Sequence, residues 1–256
     1  MTAPPCHLRG LGVLVTRPAH QADALCERIE QAHGRPIRLP TLEILPAADP
    51  MAAREVLCAP CDLLIFVSAN AVDHAYGLLP DTLPADLPIA AVGRATADRL
   101  SELGLDPTLV PAQRYDSEGL LALPELQQLS GRRVVIVRGN EGRTILGDTL
   151  AARGANVVYA EVYRRVMPQR DPRNLLAGWD RLVDVVTATS NTGLDNLFAM
   201  LGGAGRGLLQ RTPLLVVSDR MAAHARGLGC ERVSVAASAL DADMLDSLCR
   251  LAEHSG

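Results

Sequence analysis

The sequence predicts an α/β protein made of two similar parallel-sheet domains that arose by internal duplication. Three observations predict this. First, of 256 residues 48% are hydrophobic and only 3% aromatic, so the core rests on Val, Ile, Leu and Ala. That palette suits buried Val-rich strands covered by Ala/Leu-rich helices. Second, short apolar runs alternate with amphipathic segments, and the boundaries carry Gly or Ser and Asn, the chemistry of helix ends. Third, the chain writes its units twice. Gly10, Val13, Arg17, Leu25 and Ile29 return 121 positions later as Gly131, Val134, Arg138, Leu146 and Leu150. DLLIFVSANAV, from Asp62, returns at an offset of 122 as DVVTATSNTGL, and VGRATADRLSELG, from Val92, at an offset of 125 as VSDRMAAHARGLG. The order is A, B, A′, B′, with a period too long for a solenoid. The repeat alone leaves open whether A shares a domain with B or with B′.

The elements follow in order. Gly10 to Arg17 reads as a turn and a strand, VLVT. From Ala22 to about Ala32 the spacing predicts a helix with Ala22, Leu25, Cys26 and Ile29 on one face, and Gly34 as its C-terminal cap. PIRLPTLEIL, Pro36 to Leu45, is extended, and its two prolines confine it to a sheet edge or a connection. Asp62 to Val67 is continuously apolar, as in a strand buried on both faces. Ser68 and Asn70 then offer cap chemistry. Ile89 to Val92 is a strand, followed by a helix over about Ala95 to Leu103. In the second half, strands are expected at Arg133–Val137, Asp184–Ala188 and Leu214–Val217. Helices are expected at Thr144–Arg153 and from Ser218 to about Leu228, and Asn156–Arg164 is extended.

Composition excludes several functions. A net charge of -4 and a pI near 5.9 give no field favouring nucleic acid. No apolar run approaches the roughly 20 residues of a membrane span, and MTAPPCHLRG lacks the apolar core of a secretory signal. Six scattered cysteines do not suggest a disulfide framework, so a reduced, cytoplasmic protein is expected. Cys58 and Cys61 form a CxxC, but it precedes a strand instead of opening a helix, and no second CxxC completes a zinc site. The six histidines show no ligand spacing, and no GxSxG elbow is present. No metal is expected. RGNEGR, Arg138 to Arg143, resembles a Gly-rich anion loop without matching a nucleotide fingerprint.

Ligands of parallel α/β sheets bind at the carboxyl ends of strands, where helix N-termini point. Thr16, Arg17, Ser68, Asn70, Gly93, Thr96, Arg138, Ser190, Thr192 and Ser218 all fall at or just after such ends. Two domains facing each other would line a cleft with hydroxyl, amide and N–H donors suited to carboxylates or phosphates. Ser, Thr and Asn at these places are equally explained as helix caps, and Arg17 and Arg138 as ion-pair partners. Tyr159 and Tyr163 have the same parity in NVVYAEVYRR, which predicts a shared strand face.

Taken together, VLVTRP at Val13, IFVSANAV at Ile65, AVGRATADRLSELG at Ala91, RGNEGRTILGDTLAARG at Arg138 and EVYRR at Glu161 resemble the uroporphyrinogen-III synthase family over nearly the whole chain. The resemblance implies two flavodoxin-like α/β domains joined by a two-stranded β ladder. A would then pair with B′ and B with A′: residues 1–38 plus 168–256 form one domain, 46–160 the other, and 39–45 and 161–167 the linker strands. It implies conversion of hydroxymethylbilane, a linear tetrapyrrole with eight carboxylates, to uroporphyrinogen III using no cofactor; nothing in the sequence suggests an obligate partner, so a monomer is expected. Tyr163 matches the tyrosine thought to assist loss of the hydroxyl, and Thr96, Ser68 and Ser190 would hold carboxylates. VSDRMA departs from the family's Gly and Thr turn, with Ser218 in place of Gly and Met221 where a threonine is common. A non-catalytic binding or sensor protein for an anionic small molecule shares the architecture, and a CxxC redox protein is a third reading.

Overall fold

The computed structural model describes residues 6–142 and 144–253. The sequence expectations for MTAPP, Arg143, His254 and the side chain of His20 fall outside the described residues. In chain order the first segment runs β1 (Gly12–Val15), α1 (Ala19–Gln31), β2 (Arg35–Arg38), β3 (Glu43–Pro46) and α2 (Pro50–Cys58). Next come β4 (Leu63–Phe66), α3 (Ala69–Tyr76), β5 (Ile89–Ala91), α4 (Arg94–Glu102), α5 (Ser117–Leu121) and a single 3₁₀ turn. The third segment holds β6 (Arg133–Gly139), α6 (Ile145–Ala152) and β7 (Asn156–Val166). The last holds α7 (Arg173–Leu182), β8 (Val185–Thr187), α8 (Asn191–Arg211), β9 (Leu214–Val216), α9 (Asp219–Gly227), β10 (Val233–Val235) and α10 (Asp241–Glu253).

Two five-stranded sheets result, ordered β10-β9-β8-β1-β2 and β3-β7-β6-β4-β5. In the first, β1 lies between β2 and β8, parallel to both. In the second, β4 lies between β5 and β6, again parallel. Unit A therefore pairs with B′, and B with A′. The chain forms two compact units, Met1–Glu43 with Val166–Gly256, and Ile44–Arg165. It passes from one to the other twice, within β3 and at the end of β7. The stretches 39–45 and 161–167 thus contribute an edge pair of the second sheet, since β3 lies beside β7.

Each sheet is buried on both faces. In the second, Leu64, Phe66, Val135 and Val137 face one cluster, while Leu63, Ile65, Val134 and Ile136 face the other. In the first, Leu14, Val186 and Val216 oppose Val13, Val15, Val185 and Leu215 across the sheet. Alternation by one residue between two apolar sides is what a doubly covered parallel strand requires. Helix α1 buries Ala22, Leu25, Cys26 and Ile29 as its spacing predicts.

Three expectations change. The segment Pro36–Leu45 is two edge strands, not one. Pro36 is tolerated because β2 ends its sheet and an edge strand has N–H positions that need no partner; Pro40 falls between β2 and β3. The left-handed residue after α1 is His33, with φ 59°, whereas its counterpart in the second copy is Gly154, with φ 88°. Gly34 serves close packing instead: a Cβ there would meet Ile29 Cγ2 and Leu8 Cδ1 at 2.8 Å. Finally, the chain is not wholly reduced. Cys6 and Cys249 are disulfide-bonded with their Cα atoms 5.8 Å apart, a bridgeable separation that ties the N-terminal segment to α10. Cys26, Cys58, Cys61 and Cys230 are free thiols.

Candidate active site

The carboxyl edge of the second sheet brings together Ser68, Gly93, Arg138, Gly139 and Tyr163. Ser68 follows β4 and caps α3: its backbone is extended and its Oγ accepts the N–H of Ala71 at 3.2 Å. The same device recurs in the first unit. Ser190 Oγ accepts the N–H of Gly193 at 3.0 Å and Ser218 Oγ that of Met221 at 3.3 Å. All three expected serines are therefore N-caps. A hydroxyl that accepts an N–H keeps its own proton to donate, so capping leaves each able to hold a carboxylate oxygen. Asn70 lies half-buried in the first turn of α3, and Thr96 is buried in the first turn of α4, where Gly93 occupies the cap position.

Tyr163 is placed by an irregularity in β7. Up to Arg138, β6 and β7 run in step, with Ile136 opposite Tyr159 and Arg138 opposite Glu161; Gly139 then stands opposite Tyr163. One extra residue, Val162, is accommodated. Such a bulge reverses the side on which later side chains emerge. The shared face expected for the two tyrosines is thereby overturned. Tyr159 is 37% exposed and its hydroxyl lies where a Cβ on Gly147 would sit, over α6. Tyr163 is 2% exposed and joins Ala160 and Val162 in the opposite cluster. It also borders a cavity of about 640 Å³ with Asn140, Glu161 and Arg164.

The phenol oxygen of Tyr163 is 3.4 Å from Ser68 Oγ and accepts an N–H of Arg165 at 3.4 Å. The His74 ring lies 5.7 Å from the Tyr163 ring. Asn140 holds the same segment twice: its N–H donates to the Tyr163 carbonyl at 3.0 Å and its Oδ1 accepts the Arg165 N–H at 2.9 Å. Sequence reasoning missed Arg165 and Asn140. Only the adjacency of RR to the tyrosine hinted at the first, and nothing local signals the second.

Arg17 and Arg138, equivalent by the repeat, diverge in the fold. Arg17 is 8% exposed, and its guanidinium is occupied by an ion pair with Asp241 and a hydrogen bond to the Ala239 carbonyl. Arg138 donates Nε to the Gly139 carbonyl at 3.0 Å and lies 5.1 Å from the Tyr159 ring centroid. Asp241 opens α10, which packs on α1; its counterpart at the repeat offset of 125 is Asp116, just before α5, which packs on α6, and that carboxylate accepts the Gly119 N–H at 2.8 Å and pairs with Arg114. Met221, at the departure in VSDRMA, is 3% exposed and packs in the core, leaving Ser218 and the exposed Asp219 and Arg220 as that turn's polar groups. Cys58 is exposed and Cys61 half-buried, both as thiols.

These observations define a class: a duplicated α/β chain with serine-capped helix N-termini at the carboxyl edge of each parallel sheet. The family model described as uroporphyrinogen-III synthase HemD matches residues 23–246. Uroporphyrinogen-III synthase of Escherichia coli strain K12 is 36% identical over 252 residues, covering 93% of this chain and all of its own. The Salmonella typhimurium enzyme of the same name is 34% identical over 246 residues, covering 93% and 100%. Among solved structures, a mutant uroporphyrinogen III synthase from Thermus thermophilus matches with a TM-score of 0.64 at 21% identity, covering 96% of this chain and 100% of that one. The Helicobacter pylori enzyme matches with a TM-score of 0.61 at 16% identity, covering 94% and 99%. These two show the likeness of fold. The chain belongs to the uroporphyrinogen-III synthase family.

Proposed function

We propose that this protein cyclises hydroxymethylbilane to uroporphyrinogen III with inversion of ring D, as a cytoplasmic monomer that needs no cofactor and no nucleic-acid partner. The observation that carries the reading is family membership over nearly the full chain, joined to the Tyr163–Ser68 pair at a strand end. Among the described residues no helix is long and apolar enough to cross a membrane. In a reducing compartment Cys6 and Cys249 would be neighbouring thiols.

The reaction begins when the terminal hydroxyl leaves as water. Tyr163 donates its proton to that oxygen as the carbon–oxygen bond breaks, leaving a phenolate and an azafulvene cation. The substituted carbon of ring D attacks the electrophilic exocyclic carbon, and a spirocyclic pyrrolenine forms. It fragments and recloses with ring D inverted, and the proton lost on aromatisation restores the phenol. Closure without inversion gives the type I isomer, so the protein's main task is to hold one folded conformation of the bilane. Ser68, Asn70, Thr96, Arg138, Ser190 and Ser218, with the N–H groups of the helix starts beside them, supply donors for carboxylates. Arg17, already committed to Asp241, holds its strand end instead.

The test is to incubate purified protein with freshly made hydroxymethylbilane, oxidise, and separate the uroporphyrin isomers. Mostly type III supports the reading. Type I alone, at the rate without protein, overturns it and leaves a binding or sensor protein.

A further inference from the structure

We propose that Arg165 is a positioning residue for Tyr163, one that also steadies the charge left on the phenol when its proton departs. The inference rests on Tyr163 being the proton donor.

The geometry begins with the bulge at Val162, which puts the Tyr163 hydroxyl beside Ser68, with Arg165 two residues on donating to that same hydroxyl. Asn140 then fixes both ends of the Tyr163–Arg165 segment by the two hydrogen bonds described above. The guanidinium carbon lies 5.8 Å from the Tyr163 ring centroid and the terminal nitrogen 3.4 Å from its hydroxyl. Arginine can only donate. Its contact therefore occupies acceptor capacity on the phenol oxygen and never competes for the proton. Ser68 Oγ, already accepting from Ala71, shares one O–H with Tyr163 whichever of the two donates. The pair therefore has one further O–H to deliver. As the leaving oxygen takes the phenol proton, negative charge grows beside a fixed positive group, which needs no reorganisation to stabilise it.

A second observation concerns the inner nitrogen of the same guanidinium. Arg165 Nε is buried and has no hydrogen-bond partner among the described residues. Buried donors are rarely left unpaired, and a charged one costs more than a neutral one. The 3.4 Å contact becomes charge-assisted once the phenol is a phenolate, and such a bond is stronger than the neutral one.

The test compares kcat and KM for hydroxymethylbilane in the full-length protein, Arg165→Met, Arg165→Lys, Tyr163→Phe and the double variant Tyr163→Phe/Arg165→Met. Arg165→Met should lower kcat roughly tenfold to hundredfold, at or below the range for loss of one preorganised donor, and change KM far less. Arg165→Lys should recover part of the loss. In the Tyr163→Phe background, Arg165→Met should add no further loss, because a group acting through the phenol has nothing left to act on. Equal losses in both backgrounds, or a change in KM alone, would overturn the inference and make Arg165 a carboxylate clamp. If Tyr163→Phe is slow while Arg165→Met keeps full kcat, this inference falls and the donor reading stands. If Tyr163→Phe keeps full kcat, the donor reading falls first. Should Arg165→Met fold poorly by thermal unfolding, the Lys variant decides between these outcomes.

Discussion

Gly139 stands in register with Tyr163, and the Tyr163 ring covers the place where a side chain at Gly139 would begin. A Cβ there would come within 2.5 Å of a ring carbon, far inside van der Waals contact. The absent side chain and the bulge one strand away together make room for the ring at the end of β6.

Gly139→Ala should therefore displace the ring. Overpacking of this kind costs about 1–3 kcal/mol, read as a lower urea midpoint with an unchanged slope. The loss of type III product should exceed what that destabilisation explains, because the hydroxyl moves with the ring. A variant that loses stability and keeps full turnover would show that Tyr163 need not be held in place.

Tyr163→Phe keeps the buried ring and removes only the oxygen. Stability should change by about 1 kcal/mol or less, the worth of an ordinary hydrogen bond. Turnover should fall by about 10²-fold, the lower end of general-acid contributions, with the remaining product still mainly type III. Rate and isomer ratio, measured together, separate proton donation from folding of the bilane. A fall in the type III share at undiminished rate would assign Tyr163 to substrate shape instead.

Asp241→Asn tests the role given to Arg17. The pair is largely buried, with side chains 8% and 25% exposed. Removing one partner strands the other, which in buried pairs costs about 3–5 kcal/mol; the partial exposure of Asp241 brings the expectation to about 2–3 kcal/mol by chemical denaturation. A loss under about 0.5 kcal/mol would free Arg17 for the substrate again.

Burial pushes the thiols of Cys26, Cys61 and Cys230 upward. At neutral pH these three hold less thiolate than an ordinary cysteine, so in the native protein alkylation followed by mass spectrometry should label exposed Cys58 first. The sign for stability follows. Above the ordinary thiol value of about 8.5, the unfolded chain has released protons that the folded chain keeps, so stability falls as pH rises through that range. Cys6 and Cys249 should resist labelling until a reductant is added. Equal labelling of all six without reductant would contradict both the burial and the bridge.

Much of this was legible in local sequence. The strands VLV, LLIF and VVIV show themselves because a parallel strand covered on both faces must be apolar throughout. The serines after them mark helix starts because the first N–H groups there need acceptors within a few residues. The repeat located matching elements in both halves, and the family resemblance drew Tyr163 out of EVYRR. None of these signals extends beyond a few neighbouring residues or a constant offset, and within that reach the sequence determined the duplicated α/β class, the strand-end placement of Ser68, Ser190 and Ser218, and the candidate donor.

The tertiary structure decided what depends on partners distant in the chain. Whether β1 pairs with β4 or β8 is a matter of which apolar faces meet, and matching patterns in both copies could not distinguish them. Arg17 and Arg138 look alike in sequence, yet Arg17 is held by Asp241, 224 positions away, while Asp116, at the matching place before α5, pairs with Arg114 and accepts the Gly119 N–H. Strand parity placed Tyr159 and Tyr163 on one face, but the extra residue at Val162 reversed one of them. That reversal set Arg165 and Ser68 around the phenol, since a bulge appears only when two strands are laid side by side.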